Sequence, residues 1–267
     1  MDMLIDFHTH AFPQAIATCA ISKLSHASGG LDPQTDGTLP SLKAEMAKDG
    51  VDISVVLSIA TNAKQQTNVN NFAAEINGNE GIFAFGSVHP DAENALDELD
   101  RIKSLGLKGV KFHPDYQGFF ADDEKMKPIY KKISSLGLIT VFHAGYDYGF
   151  SEPFGCMPDN MAKALRWFDS PVIAAHWGGV GCGSEVIKKL CGLDLWFDLS
   201  FGYGTMPKSF AEKIVEKHTP DRLMFGSDMP WHRPSWERLL INSLDLSEGD
   251  RDKIYYKNAE KLLGLEG

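Results

Sequence analysis

The stretch "LIDFHTH" (residues 4–10) ends in two imidazoles, His8 and His10, separated by one threonine. If the apolar run before them is a strand, successive side chains alternate between faces. Both imidazoles then project to one side, ~6–7 Å apart along the chain, with Asp6 on that side too. Two neutral imidazoles aimed at one point suit a divalent metal, but two ligands do not make a site. Later apolar runs supply more groups of the same kind. "KGVKFH" ends in Lys111 and His113, "LITVFH" in His143, "PVIAAH" in His176 and "RLMFGSD" in Asp228, while His89 follows "IFAFGSV". Five of the nine histidines (8, 10, 113, 143 and 176) therefore stand at the end of an apolar, β-rich run.

For these groups to act together, their strands must end at one place. Eight β-rich runs recur: 3–8, 53–59, 82–88, 108–113, 138–143, 171–176, 195–201 and 222–228. Helical patterns lie between them. Asp91 is placed to cap a helix carrying Leu96, Leu99, Ile102 and Leu105, stopped by Gly106. Met126, Ile129, Tyr130, Ile133 and Leu136 repeat the pattern up to Gly137, and Gly50, Gly78, Gly192 and Gly264 close other helices. Strand and helix alternating through eight units predict an α/β fold: a single (β/α)8 TIM barrel, of about the ~250 residues usual for that fold. No linker or low-complexity tract divides the chain, so residues 1–267 read as one barrel domain. Residues 11–40 and 144–160 read as long loops after strands 1 and 5, at the C-terminal mouth where barrel enzymes keep their chemistry.

Composition narrows the function classes. The chain has 36 acidic against 26 basic residues, a net charge of -10, and no cluster of lysine or arginine, which disfavours nucleic acid as a partner. Neither "GxGxxG" nor "GxxxxGK[ST]" follows a strand, so nothing supports a nucleotide-binding open sheet. The four cysteines, at 19, 156, 182 and 191, show no CxxC spacing and read as free thiols of a reducing compartment. With no signal-like or membrane-length apolar run, the expectation is a cytoplasmic enzyme acting on a small molecule. Homo-oligomerisation is left open.

Each polar residue has an ordinary reading when taken singly. His143 or His176 alone would be a hydrogen-bonded core histidine, Asp228 a turn carboxylate, and Lys111 a satisfied buried amine. His89 and His113 precede proline, which forces an extended backbone. His26 and His218 belong to no motif and read as surface residues. What the ordinary readings do not explain is the joint pattern.

That pattern, "DFHTH", "VFHAG", "AAHWGG" and "FGSDMPW" in order, resembles the amidohydrolase superfamily of metal-dependent barrels. The ending "GSDMPW…RDKIYYKNAEKLLGL" is similar to the branch containing aminocarboxymuconate-semialdehyde decarboxylase and the amidohydrolase-2 type proteins. The resemblance implies one divalent metal, zinc, on His8, His10, His143 and Asp228, with catalytic roles for Asp228 and His176. Asp228 would take a proton from a metal-activated water, and a protonated His176 would stabilise developing charge. Lys111 stands where binuclear relatives such as phosphotriesterase carry a carboxylated lysine. If Lys111 were so modified, a second metal on His143 and His176 would follow; otherwise Lys111 or His113 pairs with a substrate anion. Tyr146, Tyr148, Phe150, Trp231, His232 and Arg233 follow strands 5 and 8 and would line the mouth, with Arg233 as a carboxylate clamp. The activity implied is hydrolysis of a small amide, lactone or ester. Non-oxidative decarboxylation on the same site is its nearest competitor. A TatD-like nuclease, opposed by the strand-4 motif and the net charge, and a catalytically inactive metal-binding barrel are the remaining alternatives.

Overall fold

The computed structural model describes residues 3–265. All eight strands are present: β1 (Ile5–Thr9), β2 (Ile53–Leu57), β3 (Ile82–Phe85), β4 (Gly109–Phe112), β5 (Ile139–Phe142), β6 (Val172–Ala174), β7 (Trp196–Asp198) and β8 (Leu223–Met224). Each pairs parallel with its sequence neighbour, in two runs, β1-β2-β3 and β4 through β8. Backbone hydrogen bonds join the runs at both seams. At one, Gly86 N donates to Gly109 O (2.9 Å) and Lys111 N to Gly86 O (2.8 Å); at the other, Phe7 N donates to Phe225 O (2.9 Å) and Asp228 N to His8 O (2.8 Å). Between consecutive strands lie the helices Leu39–Asp49, Gln66–Ile76, Ala95–Ser104, Lys127–Ser135, Pro158–Ala164, Gly183–Lys189 and Lys208–His218, the alternation of a (β/α)8 TIM barrel. Among the described residues no helix is long and apolar enough to cross a membrane, and all four cysteines are free.

Two apolar layers hold the ring. Val56, Ala84, Val110, Phe112, Phe142, Val172 and Phe197 pack outward against the helices. Ile5, Phe7, Val55, Leu57, Phe85, Ile139, Val141, Ile173 and Met224 form a separate cluster inside, joined by Ala259 and Leu263 of the final helix Asn258–Leu263. β4 gives this inner cluster no apolar side chain; its positions are Gly109 and Lys111. A Cβ on Gly109 would lie 2.4 Å from the Phe85 ring, so the glycine is what lets Phe85 cross the interior there.

A register shift between Asp6 and Thr9 interrupts the β1–β2 ladder. Plain alternation would send Phe7 and His8 to opposite faces. The irregularity lets Phe7 fill the barrel while His8 and His10 still reach the mouth, and Thr9 Oγ1 donates instead to Val55 O (2.9 Å).

Three expectations need correction. Residues 11–40 are not an irregular loop throughout: the helix Ala17–Ala27 lies within them, with Ala17 and Ile21 buried. Asp91 does not cap the helix that follows it. That helix runs Ala95–Ser104 and buries Ala95, Glu98, Leu99 and Ile102, leaving Leu96 exposed. The inward face accommodates a carboxylate because Asn70 Nδ2 (2.8 Å) and Arg101 Nη1 (2.7 Å) both donate to Glu98 Oε1. His26 is exposed as expected, but His218 is buried and stacks on Phe197 at 4.0 Å. Its Nε2 donates to Leu195 O (3.1 Å) and its Nδ1 accepts from Gly192 N (3.2 Å), so both nitrogens are committed in the neutral ring.

Burial lowers the His218 pKa from 6.5 to about 4. As pH falls through that window, the unfolded chain takes up a proton that the folded chain refuses, so stability falls. The contribution lost is of order 3 kcal/mol by pH 4. The His218 imidazole resonances should titrate near pH 4 by NMR, and His218→Gln should flatten the loss of denaturation free energy between about pH 6.5 and about pH 4. A ring titrating near 6.5 would contradict this account.

Candidate metal centre at the strand ends

Asp198, at the end of β7, has a carboxylate with no solvent exposure. Its Oδ2 accepts from His8 Nδ1 at 2.8 Å. Its Oδ1 accepts from His176 N (3.1 Å), Ser200 N (3.2 Å) and Ser200 Oγ (2.5 Å). One buried anion thus orients groups on β1, β6 and β7. Because Nδ1 of His8 carries the hydrogen, its Nε2 carries a lone pair. His10 repeats the arrangement: its Nδ1 donates to Leu57 O (2.9 Å), leaving Nε2 free.

Both Nε2 atoms face one oxygen. Asp228 Oδ1 lies 3.4 Å from His8 Nε2 and 3.2 Å from His10 Nε2. The ligand atoms offered by His8, His10 and Asp228 all lie within 4.8 Å of one another. Three acceptors meeting without a hydrogen among them repel one another unless a cation stands between. The set, two imidazoles whose Nδ1 atoms are held by second partners and a carboxylate, fits a divalent ion. The Lys111 ammonium approaches the same place, with Nζ 3.2 Å from His8 Nε2. Burial lowers its pKa to about 8, although Asp198 and Asp228 oppose the shift.

His143 and His176 form a second pair of facing acceptors. His143 Nε2 donates to Tyr146 O (3.2 Å), so Nδ1 carries a lone pair, and that atom faces His176 Nε2 at 3.1 Å. The single hydroxyl hydrogen of Ser200 goes to Asp198, so Ser200 Oγ accepts from His176 Nδ1 (2.8 Å) and His176 Nε2 also carries a lone pair. Burial pushes both imidazoles well below their usual pKa. At rest His176 is therefore a neutral ring with its acceptor atom turned inward. His143, expected with His8 and His10, thus keeps the lone pair of Nδ1 on the cleft side while Tyr146 O holds its Nε2.

His113 belongs to a neighbouring cluster. Its ring stacks on His143 at 4.1 Å and 9°, and Nε2 pairs with Asp147 Oδ2 at 3.1 Å. Burial would raise Asp147, but the His113 hydrogen bond and charge outweigh it and bring its pKa to about 2. Parallel rings send their in-plane lone pairs side by side rather than to one point, so this cluster suits an ion pair better than a chelate. His89 accepts from Asp91 N (3.2 Å) at Nδ1 and is part of neither cluster. Asp6 touches no imidazole: its carboxylate accepts from His8 N (3.1 Å), Ser227 N (2.9 Å) and Ser227 Oγ (2.5 Å), tying β1 to the turn before Asp228.

The mouth residues divide. Tyr146 is partly exposed and sits edge-on to Phe154 at 5.0 Å; Tyr148 and Phe150 are exposed. Trp231 is half-buried, its N donating to Asp228 O (2.8 Å). Arg233 is not a free clamp: Nε donates to Gln34 Oε1 (2.9 Å) and Nη1 pairs with Glu45 Oε2 (2.5 Å). Asp198, Ser200 and Asp147 escaped sequence reasoning. A signal for the first two was present in "LWFDLSF", where Asp198 and Ser200 repeat the one-residue spacing of His8 and His10.

The backbone is strained at the same place. His176 (φ 59°), Trp177 (60°), Phe201 (55°) and Asp228 (72°) adopt left-handed conformations beyond the ends of β6, β7 and β8. Such conformations cost about 1–2 kcal/mol each for non-glycine residues and cluster at functional sites.

The amidohydrolase family model matches residues 5–265. No curated protein matches the chain. Among solved structures, an uncharacterised TIM-barrel protein from Bordetella bronchiseptica is 18% identical with a TM-score of 0.77, covering 98% of each chain. A 2,6-dihydroxybenzoate decarboxylase from Rhizobium is 19% identical with a TM-score of 0.71, covering 100% of both chains. A putative 2-pyrone-4,6-dicarboxylic acid hydrolase from Pseudomonas putida is 16% identical with a TM-score of 0.68, covering 100% of this chain and 99% of that one.

If Asp198 sets the tautomer of His8, then Asp198→Asn should weaken metal affinity by about 10- to 100-fold while leaving the far-ultraviolet circular dichroism unchanged. Competition with a chromogenic chelator reads the affinity; a variant that holds metal as the wild type does would dismiss the role.

Proposed function

The chain belongs to the amidohydrolase family, and from that premise we propose that it is a metal-dependent hydrolase of a small-molecule amide, lactone or ester. The observation carrying this reading is the convergence of His8 Nε2, His10 Nε2 and Asp228 Oδ1, with no hydrogen between them, beside the inward lone pair of His176. His8, His10 and Asp228 would hold one divalent ion, zinc by the nature of the donors, with His143 as the further nitrogen. Bound there, the ion supplies Lewis acidity and lowers the pKa of water.

The chain's own groups then divide the proton work. Asp228 can accept a proton from the attacking water through its carboxylate and return it to the leaving group. His176, neutral and fixed by the Ser200–Asp198 pair, offers Nε2 as an acceptor on the other side of the cleft. Once it has taken a proton there, the same atom becomes a donor to the oxygen on which negative charge develops. Tyr146 and Trp231 supply flat surfaces at the mouth, suited to a planar substrate.

Lys111 favours decarboxylation as the second reading, the chemistry named for the Rhizobium fold neighbour. Its ammonium beside His8 can pair with a substrate carboxylate. Loss of carbon dioxide leaves an electron pair on carbon, which His176 or Asp228 would protonate after taking a proton from water. The two reactions share His8, His10, His176 and Asp228 and differ in their products.

Replacing His8 and His10 together by alanine should abolish metal binding and turnover. His176→Gln should retain metal and lose about 10²- to 10⁴-fold in kcat. A panel of lactones, esters, amides and aromatic carboxylates, followed by product chromatography and carbon dioxide release, separates the two chemistries. Turnover that survives complete metal removal would sink both.

A further inference from the structure

Lys111 is the one buried lysine among the described residues, with 1% of its surface exposed. Its backbone is pinned on both edges of β4. It pairs with Val141 of β5, its N donates to Gly86 O (2.8 Å), and its O accepts from Ser87 Oγ (2.8 Å). With the strand fixed in this way, only the side chain is free to turn. Its Nζ has one hydrogen-bond partner among the described residues, His8 Nε2 at 3.2 Å.

The direction of that bond follows from its two ends. His8 Nδ1 gives its hydrogen to Asp198 Oδ2 (2.8 Å), so Nε2 keeps a lone pair and no hydrogen. An amine nitrogen carries hydrogens whether charged or neutral, so Lys111 is the donor in either state. An imidazole nitrogen has a single lone pair, in the plane of the ring. A divalent ion on His8, His10 and Asp228 needs that same lone pair, and an ion and an amine hydrogen do not share it. Binding the ion therefore breaks the bond between Lys111 and His8 and leaves a buried amine without its partner. Charge acts in the same direction. Asp198 and Asp228 both act on the Lys111 ammonium. A divalent ion alone would balance these two carboxylates, whereas with Lys111 beside it one positive charge is left over in a buried place.

We propose that Lys111, as a free amine, is a built-in competitor of the metal: it holds the Nε2 lone pair of His8, gives way when a divalent ion takes that lone pair, and so weakens the grip of the centre on its ion. Displaced from His8, the ammonium has hydrogens to offer an incoming anion. A carboxylated lysine would act in the opposite sense, by adding a ligand. The proposal rests on the reading that His8, His10 and Asp228 hold the ion, and not on which reaction follows.

The test competes zinc from the loaded protein with a chromogenic chelator, in wild type and in Lys111→Met. Methionine is an unbranched side chain with neither charge nor N–H, and it adapts to irregular interior space. Lys111→Met should hold zinc at least about tenfold more tightly than wild type. Equal affinity would mean that the amine yields at no cost, and weaker affinity that Lys111 helps to hold the ion; either result overturns the proposal. Should Lys111→Met fail to fold, the wild type serves instead. The ammonium resonance of its buried lysine, followed by proton–nitrogen NMR, should shift saturably as zinc is added, and a resonance indifferent to zinc overturns the proposal. The double replacement of His8 and His10 by alanine keeps the two readings apart. If that variant loses zinc while Lys111→Met binds it no better than wild type, the metal centre stands and the role of Lys111 falls alone. If the double variant keeps zinc as wild type does, the centre falls and this proposal falls with it.

Discussion

The carboxylate of Asp198 is the contact on which the rest of the site depends. Buried and anionic, it is stable there because four hydrogens point at it, one each from the His8 ring, the His176 backbone, and the Ser200 backbone and hydroxyl. Those bonds decide which nitrogen of His8 and of His176 holds a proton, and hence which atoms turn their lone pairs into the cleft. Remove the anion and both rings lose their orientation and tautomer. The barrel makes such an arrangement feasible, since its strands bring carboxylate and imidazoles from distant parts of the chain to one depth.

The barrel is also built unevenly for the sake of its mouth. β1 departs from regular alternation between Asp6 and Thr9, so apolar and imidazole side chains each reach where they are needed. β4 gives up an apolar interior position to Lys111, whose neighbour Gly109 makes room for Phe85. Gly226 does the same beside the site: a Cβ there would lie 3.0 Å from that of His8 and 3.2 Å from that of Ser200. Four left-handed, non-glycine residues lie beyond the ends of β6, β7 and β8, a local cost borne by the apolar layers on either side of the strands.

The eight strands were readable because each is a short apolar run with a helix-length interval after it. Helix ends were readable where glycine takes a left-handed conformation, as Gly50 and Gly264 do. Other elements were not. The helix Ala17–Ala27 hides in a stretch rich in serine and glycine around it, and Leu96 looks like a core residue until Glu98 takes the inward position with Asn70 and Arg101 as partners. His218 looked solitary because its partners, Gly192 and Leu195, are backbone groups, and backbone groups leave no motif. Arg233 looked free because Glu45 lies nearly two hundred positions away in the chain, on a helix that only the fold brings alongside.

From its residues alone, then, the chain set out a parallel α/β ring and a family of imidazoles at its strand ends, because strand periodicity and strand-terminal position are local properties. Tertiary structure alone decided which nitrogen carries a proton, which ring faces which, and which charged groups are already spoken for. Those are properties of pairs. The partner in each pair, Asp198 for His8, Ser200 for His176, Glu237 for His232, Glu45 for Arg233, is fixed by three-dimensional contact and not by spacing along the chain.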